Sequence, residues 1–328
     1  MDNQHWSELK EAGALSGIRF MFFVYKYFGR LPFKLVLYPV ILYFYARRHE
    51  ARAASLEYLE QLNKQHAALE PSKWLSFKHF LEFGESLLDK LAVWQGDISL
   101  DDILFHPRDA FLSCCEKGQG GILIGSHLGN LEICRALSLQ QKNTRINVLM
   151  HTSHAENFNK ILKQLGSEQL SIIQVNSINP ATAMMLNEKV QQGEFIVLTG
   201  DRTPPSGDKN SSVVNFLGRE ADFPNGPMIL ASLLKCPVFT LFCFRSQRPD
   251  YRYEIFLDEF SEKIVLPRKD KQSALNQYSQ SFADRLASFC KQFPLQWYNF
   301  YSLWKAQAHR NPHKAQEHIL PTSRQTDS

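Results

Sequence analysis

Short aliphatic runs alternate with segments of helical periodicity from residue 107 onward. The runs predict buried strands, and the segments between them carry apolar positions at the spacing of a helix face. This alternation predicts an α/β fold whose mixed, mostly parallel sheet is flanked by helices on both faces. The predicted strands are 121–125, 146–150, 171–175, 195–199, 238–244 and 252–257, and the predicted helices are 130–140, 155–165, 180–192, 226–235 and 272–293.

Ahead of this region the pattern is helical. Residues 50–69 predict a polar helix, and residues 72–94 predict a second helix after Pro71, with Ser72 as its N-cap. We therefore divide the chain into three parts. These are an N-terminal helical, membrane-interface segment and lead-in (1–106), an α/β domain (107–307) and a polar, mobile tail (308–328).

Residues 17–48 are rich in aromatic and aliphatic side chains but are interrupted by lysine and arginine. The longest uncharged run, Leu35 to Ala46, has 12 residues and contains Pro39, whereas a membrane span needs about 18 or more. The mixture favours helices that lie in the headgroup region of a membrane. A buried helical hairpin and a tilted single span stay open as alternatives. In a span, the basic residues that follow would place the rest of the chain on the cytoplasmic side: Arg47, Arg48 and Arg52.

The composition is that of a globular protein. Hydrophobic residues make up 44% of the 328 residues and charged residues 21%, and the net charge of +4 is too small to indicate nucleic-acid binding. The six cysteines show no C-x-x-C spacing, which favours reduced, mostly buried thiols.

One histidine stands where an α/β sheet commonly places its chemistry. In "GILIGSHLGNLE", His127 follows a predicted strand and precedes a glycine-bearing turn, with Glu132 five residues on. Such a spacing is weak evidence, because 11 histidines and 33 acidic residues give about one chance match. A second match, His151 with Glu156, also follows a strand but lacks the glycine turn. The context therefore favours His127.

Other kinds of site have less support. The sequence has no G-x-S-x-G elbow, and "GQGG" precedes a strand, whereas a phosphate-binding loop would follow one. Two histidine pairs could contribute to a metal site, but no further ligands suggest themselves, and we predict no metal. The pairs are His151 with His154 and His309 with His313.

Several segments resemble one enzyme family. "GSHLGNLE" resembles the His-x4-Asp/Glu motif of the lysophospholipid acyltransferase superfamily, especially its lipid A lauroyl and myristoyl acyltransferase branch. "FIVLTGDRTPPSG" (195–207), the stretch 213–242 and "FPLQWYNFYSLW" (293–304) resemble later blocks of that branch, in the same order. Asn225 and Pro227 depart from the Glu and Thr of the glycerol-phosphate branch, so a lysophosphatidate acceptor is in doubt. The chain also resembles a subgroup associated with aryl polyene or related lipid clusters.

The resemblance implies a membrane-associated O-acyltransferase at the cytoplasmic face of the inner membrane. It would move a fatty acyl group from acyl carrier protein or coenzyme A to a hydroxyl of a lipid or glycolipid. The thioester is a substrate, and neither a cofactor nor a nucleic-acid partner is implied. The residues to which we assign roles are His127 as general base, Glu132 as its orienting acid, Asp201, Arg202 and Arg219 in substrate binding, and Gly129 and Asn130 as backbone donors near an oxyanion.

Two other enzyme classes stay open at this point. A thioesterase or lipid hydrolase could use the same His–Glu pair on water and release free fatty acid without an acceptor. A membrane-bound glycosyltransferase has the same coarse pattern, although the sequence offers no acidic metal-binding pair for a nucleotide sugar. A non-catalytic scaffold ranks third, and it would tolerate replacement of His127.

Overall fold

The computed structural model describes residues 23–66, 69–95, 97–106, 109–131, 133, 145–150, 171–174, 179–203 and 210–304. The described helices are α1 (Arg30–Arg47), α2 (His49–Gln65), α3 (Lys73–Gln95), α4 (Asp109–Glu116), α5 (Pro180–Gln191), α6 (Gly226–Leu234) and α7 (Lys271–Gln292). The described strands are β1 (Ile103–Phe105), β2 (Gly121–Gly125), β3 (Ile146–Met150), β4 (Ser171–Gln174), β5 (Phe195–Thr199), β6 (Ser211–Phe216), β7 (Arg219–Pro224), β8 (Val238–Arg245) and β9 (Tyr253–Ser261).

Seven strands form one sheet in the order β1-β9-β8-β2-β5-β3-β4. The strands from β8 to β4 all run parallel, whereas β9 runs antiparallel to β8 and pairs in parallel with β1. β2 lies at the centre between β5 and β8, so the carboxyl ends of these three strands meet at one edge. The predicted mixed, mostly parallel α/β sheet is confirmed.

Two hydrophobic clusters cover the two faces of this sheet, because alternate side chains of each strand point to opposite sides. In β2, Ile122 and Ile124 belong to one cluster and Leu123 to the other. The first cluster also contains residues of α2, α5, α6 and α7, and the second contains residues of α1 and α3. All five residues of β2 are buried, as expected for the centre of a sheet covered on both faces.

The three N-terminal helices contact one another, with α1 and α3 packed against the second face and α2 contributing Tyr58, Leu59 and Leu62 to the first cluster. α1 buries Phe33, Leu37 and Ile41, whereas Leu31 and Leu35 are 77% and 76% exposed. Two of the cations that interrupt the apolar run are paired with α3: Arg30 with Asp89 at 3.0 Å and Lys34 with Glu85 at 3.1 Å. Within the described residues, no helix is both long and apolar enough to cross a membrane.

All six predicted strands are present, and the predicted N-cap at Ser72 is confirmed. Ser72 Oγ accepts from the Leu75 N–H, and the Asn179 side chain accepts from the Thr182 N–H. The helix predicted at 155–165 lies outside the described residues, as does 130–140 apart from Asn130, Leu131 and Ile133.

The sequence analysis missed β1, α4 and the antiparallel hairpin of β6 and β7. The hairpin turns at Leu217 and Gly218, which both have positive φ. β1 lies within the predicted N-terminal segment (1–106) but pairs with β9 in the sheet. The three-part division of the chain stays a prediction.

Candidate active site

His127 lies just beyond the carboxyl end of β2, in a loop whose shape is set by its neighbours. Ser126 Oγ accepts from the Leu128 N–H at 3.0 Å, which bends the chain immediately after the strand. Gly129 has φ +80°, and a Cβ there would lie 2.1 Å from the Cys243 carbonyl oxygen of β8. Only glycine allows this approach, so the loop runs close against the neighbouring strand.

Asp201 follows β5, the strand on the other side of β2, and binds His127 twice. Its Oδ1 lies 2.8 Å from His127 Nδ1, and its Oδ2 accepts from the His127 backbone N–H at 2.9 Å. The Asp201 side chain is fully buried, whereas 31% of the His127 side chain is exposed. A carboxylate only accepts hydrogen bonds, so Nδ1 carries the proton and Nε2 carries the lone pair. Among the described residues, none hydrogen-bonds Nε2.

The electrostatics of the pair favour a neutral imidazole beside a charged carboxylate. Burial raises the pKa of Asp201, but attraction to His127, their hydrogen bonds and Arg202 outweigh it and lower the pKa to about 2. Burial lowers the pKa of His127, and nearby Arg202 adds to this effect, while Asp201 opposes it. The imidazole is therefore a base at neutral pH.

A segment near the C-terminus hydrogen-bonds both Asp201 and His127. Trp297 Nε1 donates to Asp201 Oδ2 at 3.1 Å, and the Tyr298 N–H donates to the His127 carbonyl at 2.9 Å. Trp297 is fully buried, and His79 Nε2 donates to its carbonyl oxygen, with the two atoms 2.8 Å apart. The sequence analysis quoted "FPLQWYNFYSLW" only for its resemblance and gave Trp297 no role. In the sequence, the only signal for Trp297 was its place in that block. Its hydrogen bond to Asp201 joins residues 96 positions apart, which no local pattern indicates.

The two arginines predicted to bind substrate have protein partners. Arg202 donates to the Tyr298 carbonyl at 2.7 Å and lies over the Tyr301 ring at 5.3 Å. Arg219 forms an ion pair with Glu57 at 2.7 Å. Arg202 thus lies close enough to Asp201 to stabilise its charge, and Arg219 links β7 to α2.

The predicted backbone donors also have partners. The Gly129 N–H donates to the Gln296 carbonyl at 2.8 Å, and the Asn130 N–H donates to the Cys243 carbonyl at 2.7 Å. A role in binding an oxyanion would require these bonds to open, and it stays a prediction. Glu132 lies outside the described residues, as do His151, His154, Glu156, His309 and His313.

What the arrangement can do follows from its parts. A histidine with a fixed tautomer, a buried carboxylate behind it and an exposed edge can take a proton from a hydroxyl or from water. His127 and Asp201, which the sequence analysis placed in different roles, are brought together by adjacent parallel strands.

Comparison with known proteins places the chain in a family. Residues 103–306 match the model of the bacterial lipid A biosynthesis acyltransferases. No curated protein matches the chain. The matched range includes the loop of His127, Asp201 and the Trp297 segment, and the family implies that the chain is an acyltransferase of lipid biosynthesis with a lipid acceptor and an acyl donor. The protein belongs to the bacterial lipid A biosynthesis acyltransferase family.

Proposed function

We propose that this acyltransferase moves a fatty acyl group from a thioester of acyl carrier protein or coenzyme A to a lipid hydroxyl, with His127 as general base. The observation that carries the proposal is the hydrogen bond of 2.8 Å between His127 Nδ1 and Asp201, which leaves Nε2 for the substrate. Both residues stand at the carboxyl edge of parallel strands, where open α/β sheets bind their ligands.

The chemistry needs one base and no covalent enzyme intermediate. His127 Nε2 takes the proton of the acceptor hydroxyl as its oxygen attacks the thioester carbonyl carbon. The resulting oxyanion collapses, the carbon–sulfur bond breaks, and the imidazolium returns its proton to the thiolate. The acceptor leaves as an ester and the donor as a free thiol. Asp201 stabilises the imidazolium in between, which is the role of the acid in a catalytic triad.

Two carboxylates are therefore candidates for the residue that orients His127. Asp201 lies within hydrogen-bond distance of Nδ1, and Glu132 is the partner expected from the His-x4-Glu spacing. A single Nδ1–H donates one strong bond, so we assign the orienting role to Asp201. Replacing each carboxylate in turn and comparing kcat identifies the stronger contributor.

We also propose that the N-terminal helices hold the enzyme at the cytoplasmic face of the inner membrane. The supporting feature is the outer face of α1 and of the helical residues 23–28 before it, where large apolar side chains are exposed. Such an aromatic and aliphatic surface suits the headgroup boundary. It consists of Phe23, Tyr27, Phe28, Leu31, Leu35, Tyr38, Leu42 and Tyr43, which are between 48% and 77% exposed.

The test is acyl transfer by the purified full-length protein. The donors are lauroyl and myristoyl thioesters of acyl carrier protein and of coenzyme A, and the acceptor is a membrane lipid extract from cells that lack the protein. Mass spectrometry identifies the acylated lipid, and free fatty acid formed without acceptor would indicate a thioesterase.

The matched variants are His127→Ala and His151→Ala. Loss of a general base costs about 10²- to 10⁴-fold in rate, so His127→Ala should nearly abolish transfer and His151→Ala should retain most of it. An active His127→Ala enzyme with an inactive His151→Ala enzyme would show that the wrong histidine was chosen. Thermal melts establish that both variants are folded.

A further inference from the structure

Asp201 has both carboxylate oxygens engaged, and the bonds to Oδ2 are what turn Oδ1 toward the imidazole. Oδ2 accepts from the His127 N–H at 2.9 Å and from Trp297 Nε1 at 3.1 Å. With Oδ2 held by two donors, the plane of the carboxylate is fixed. Oδ1 then has one partner, His127 Nδ1, at 2.8 Å.

Trp297 is itself held from several directions. Its ring is fully buried, and its centroid lies 4.8 Å from that of Tyr58 and 5.2 Å from that of Phe216. Its backbone forms an antiparallel bridge with Leu128, next to the catalytic loop. The indole N–H therefore reaches Asp201 from a position that is held by packing and is tied to the His127 loop.

We propose that Trp297 is a positioning residue, whose indole N–H orients Asp201 and thereby fixes the tautomer and direction of the His127 imidazole. The inference rests on the proposed function. Trp297 acts through Asp201, because the indole N–H is spent on Oδ2 and the ring is sealed from solvent.

The competing explanation is that Trp297 only fills the core and that any acceptor would serve its N–H. The chain offers a matched control in Trp304. This residue is also buried, lies in the same aromatic cluster at 6.4 Å from Trp297, and donates its N–H to the Phe216 carbonyl at 3.0 Å. Trp304→Phe therefore removes a buried indole N–H bond of similar length that does not involve Asp201.

The experiment compares Trp297→Phe with Trp304→Phe in the transfer assay, with the same lauroyl donor and lipid extract. A hydrogen bond to a charged group corresponds to roughly 10- to 100-fold, so Trp297→Phe should lower kcat by that factor with KM little changed. Trp304→Phe should lower thermal stability about as much as Trp297→Phe does. Its kcat should stay within about threefold of the wild type, a smaller change than the loss of one hydrogen bond to a charged group would cause.

The pH profile gives a readout that a purely structural role would not move. Without the indole donor, the Asp201 carboxylate is less neutralised and attracts the imidazolium more strongly, so the pKa of His127 should rise. The acid limb of the kcat profile should shift to higher pH in Trp297→Phe and stay in place in Trp304→Phe. Equal limbs and equal kcat in the two variants would overturn the proposal.

Two further measurements keep the outcomes separate. If Trp297→Phe fails to fold, incorporation of benzothienylalanine at position 297 keeps the bicyclic shape and removes only the N–H, and the same shift is expected. If His127→Ala retains activity, the proposed function itself fails. If His127→Ala is inactive while the position-297 variants match Trp304→Phe, only the positioning role is wrong.

Discussion

Replacing Asp201 by asparagine removes the charge behind His127 while keeping the size of the side chain. Asp201 is fully buried, yet its pKa is lowered to about 2 from an ordinary value of 3.8. The lowered pKa corresponds to roughly 2 kcal/mol in favour of the charged form, which is what the attraction to His127 and Arg202 and the hydrogen bonds leave after the cost of burial. Replacement by asparagine removes the carboxylate charge that stabilises a neighbouring imidazolium.

The expected loss is larger than this electrostatic contribution alone. An asparagine that turns its NH₂ toward Nδ1 would favour the wrong tautomer, with the proton on Nε2 and no base for the hydroxyl. We expect kcat to fall about 10²- to 10⁴-fold, in the range of a lost general base. The assay is transfer of the lauroyl group to the lipid extract, with kcat and KM measured separately.

Glu194→Gln is the matched control for this variant. Glu194 is also buried, its pKa is also lowered, and it lies at the start of β5, the opposite end of the strand from Asp201. Burial raises its pKa, and hydrogen bonds from Asn147 and Lys189 overcome that effect. Both variants should lose stability, but only Asp201→Asn should lose rate. A kcat within about threefold of the wild type for Asp201→Asn would refute the reasoning that links this carboxylate to catalysis, because a lost base costs at least about 10²-fold.

Three other predictions follow from the described contacts. Burial lowers the pKa of His79 to about 4 against the hydrogen bond to the Trp297 carbonyl, so its contribution to stability is complete above the ordinary pKa of 6.5 and is lost as pH falls toward 4. In urea unfolding, the loss of stability between pH 7 and pH 5 should be about 2 kcal/mol smaller in His79→Gln than in the wild type. Gly129→Ala places a Cβ 2.1 Å from the Cys243 carbonyl and should abolish activity with a clear drop in Tm, whereas Gly226→Ala, which meets nothing within 4 Å, should retain activity. Replacing both Leu31 and Leu35 by glutamate should release the protein from vesicles in flotation assays. Leu233→Glu, at a position on α6 that is 57% exposed, should not. Equal binding of the wild type and both variants would contradict the proposed membrane face.

The sequence predicted the strands and the position of His127 well because both depend on local patterns. β2 is five buried residues in a row, and the Ser-His-Leu-Gly turn after it is readable from glycine and serine chemistry. The partner of His127 was not readable in the same way. Asp201 was identified at a strand end, but its pairing with His127 follows from the order of β2 and β5 in the sheet, which no local pattern specifies.

The hairpin of β6 and β7 was missed for a related reason. Buried and more exposed positions alternate in β6, as in a half-buried strand. The two strands are short, however, and β7 leads directly into α6, so the sequence analysis predicted only the helix in this region. The partners of the N-terminal charges were not readable from the sequence either. Arg30 and Lys34 pair with carboxylates of α3. A sequence shows that charges interrupt an apolar run but does not show which helix neutralises them.

The N-terminal helices have two different relations to the rest of the molecule. α1 exposes an apolar outer face, while α2 and α3 support the catalytic segment directly. Tyr58 of α2 donates its hydroxyl to the Pro294 carbonyl at 2.9 Å and packs against Trp297, and His79 of α3 holds the Trp297 carbonyl. α2 and α3 precede the range that matches the family, yet they hold Trp297, whose indole N–H donates to Asp201. α1 is joined to this support through α3, since Arg30 and Lys34 pair with carboxylates of the helix that carries His79. The face of α1 that we propose to contact lipid and the side chains that hold Trp297 therefore belong to helices that pack together, and the contacts of Tyr58 and His79 with residues 294 and 297 cross the predicted boundary at residue 106.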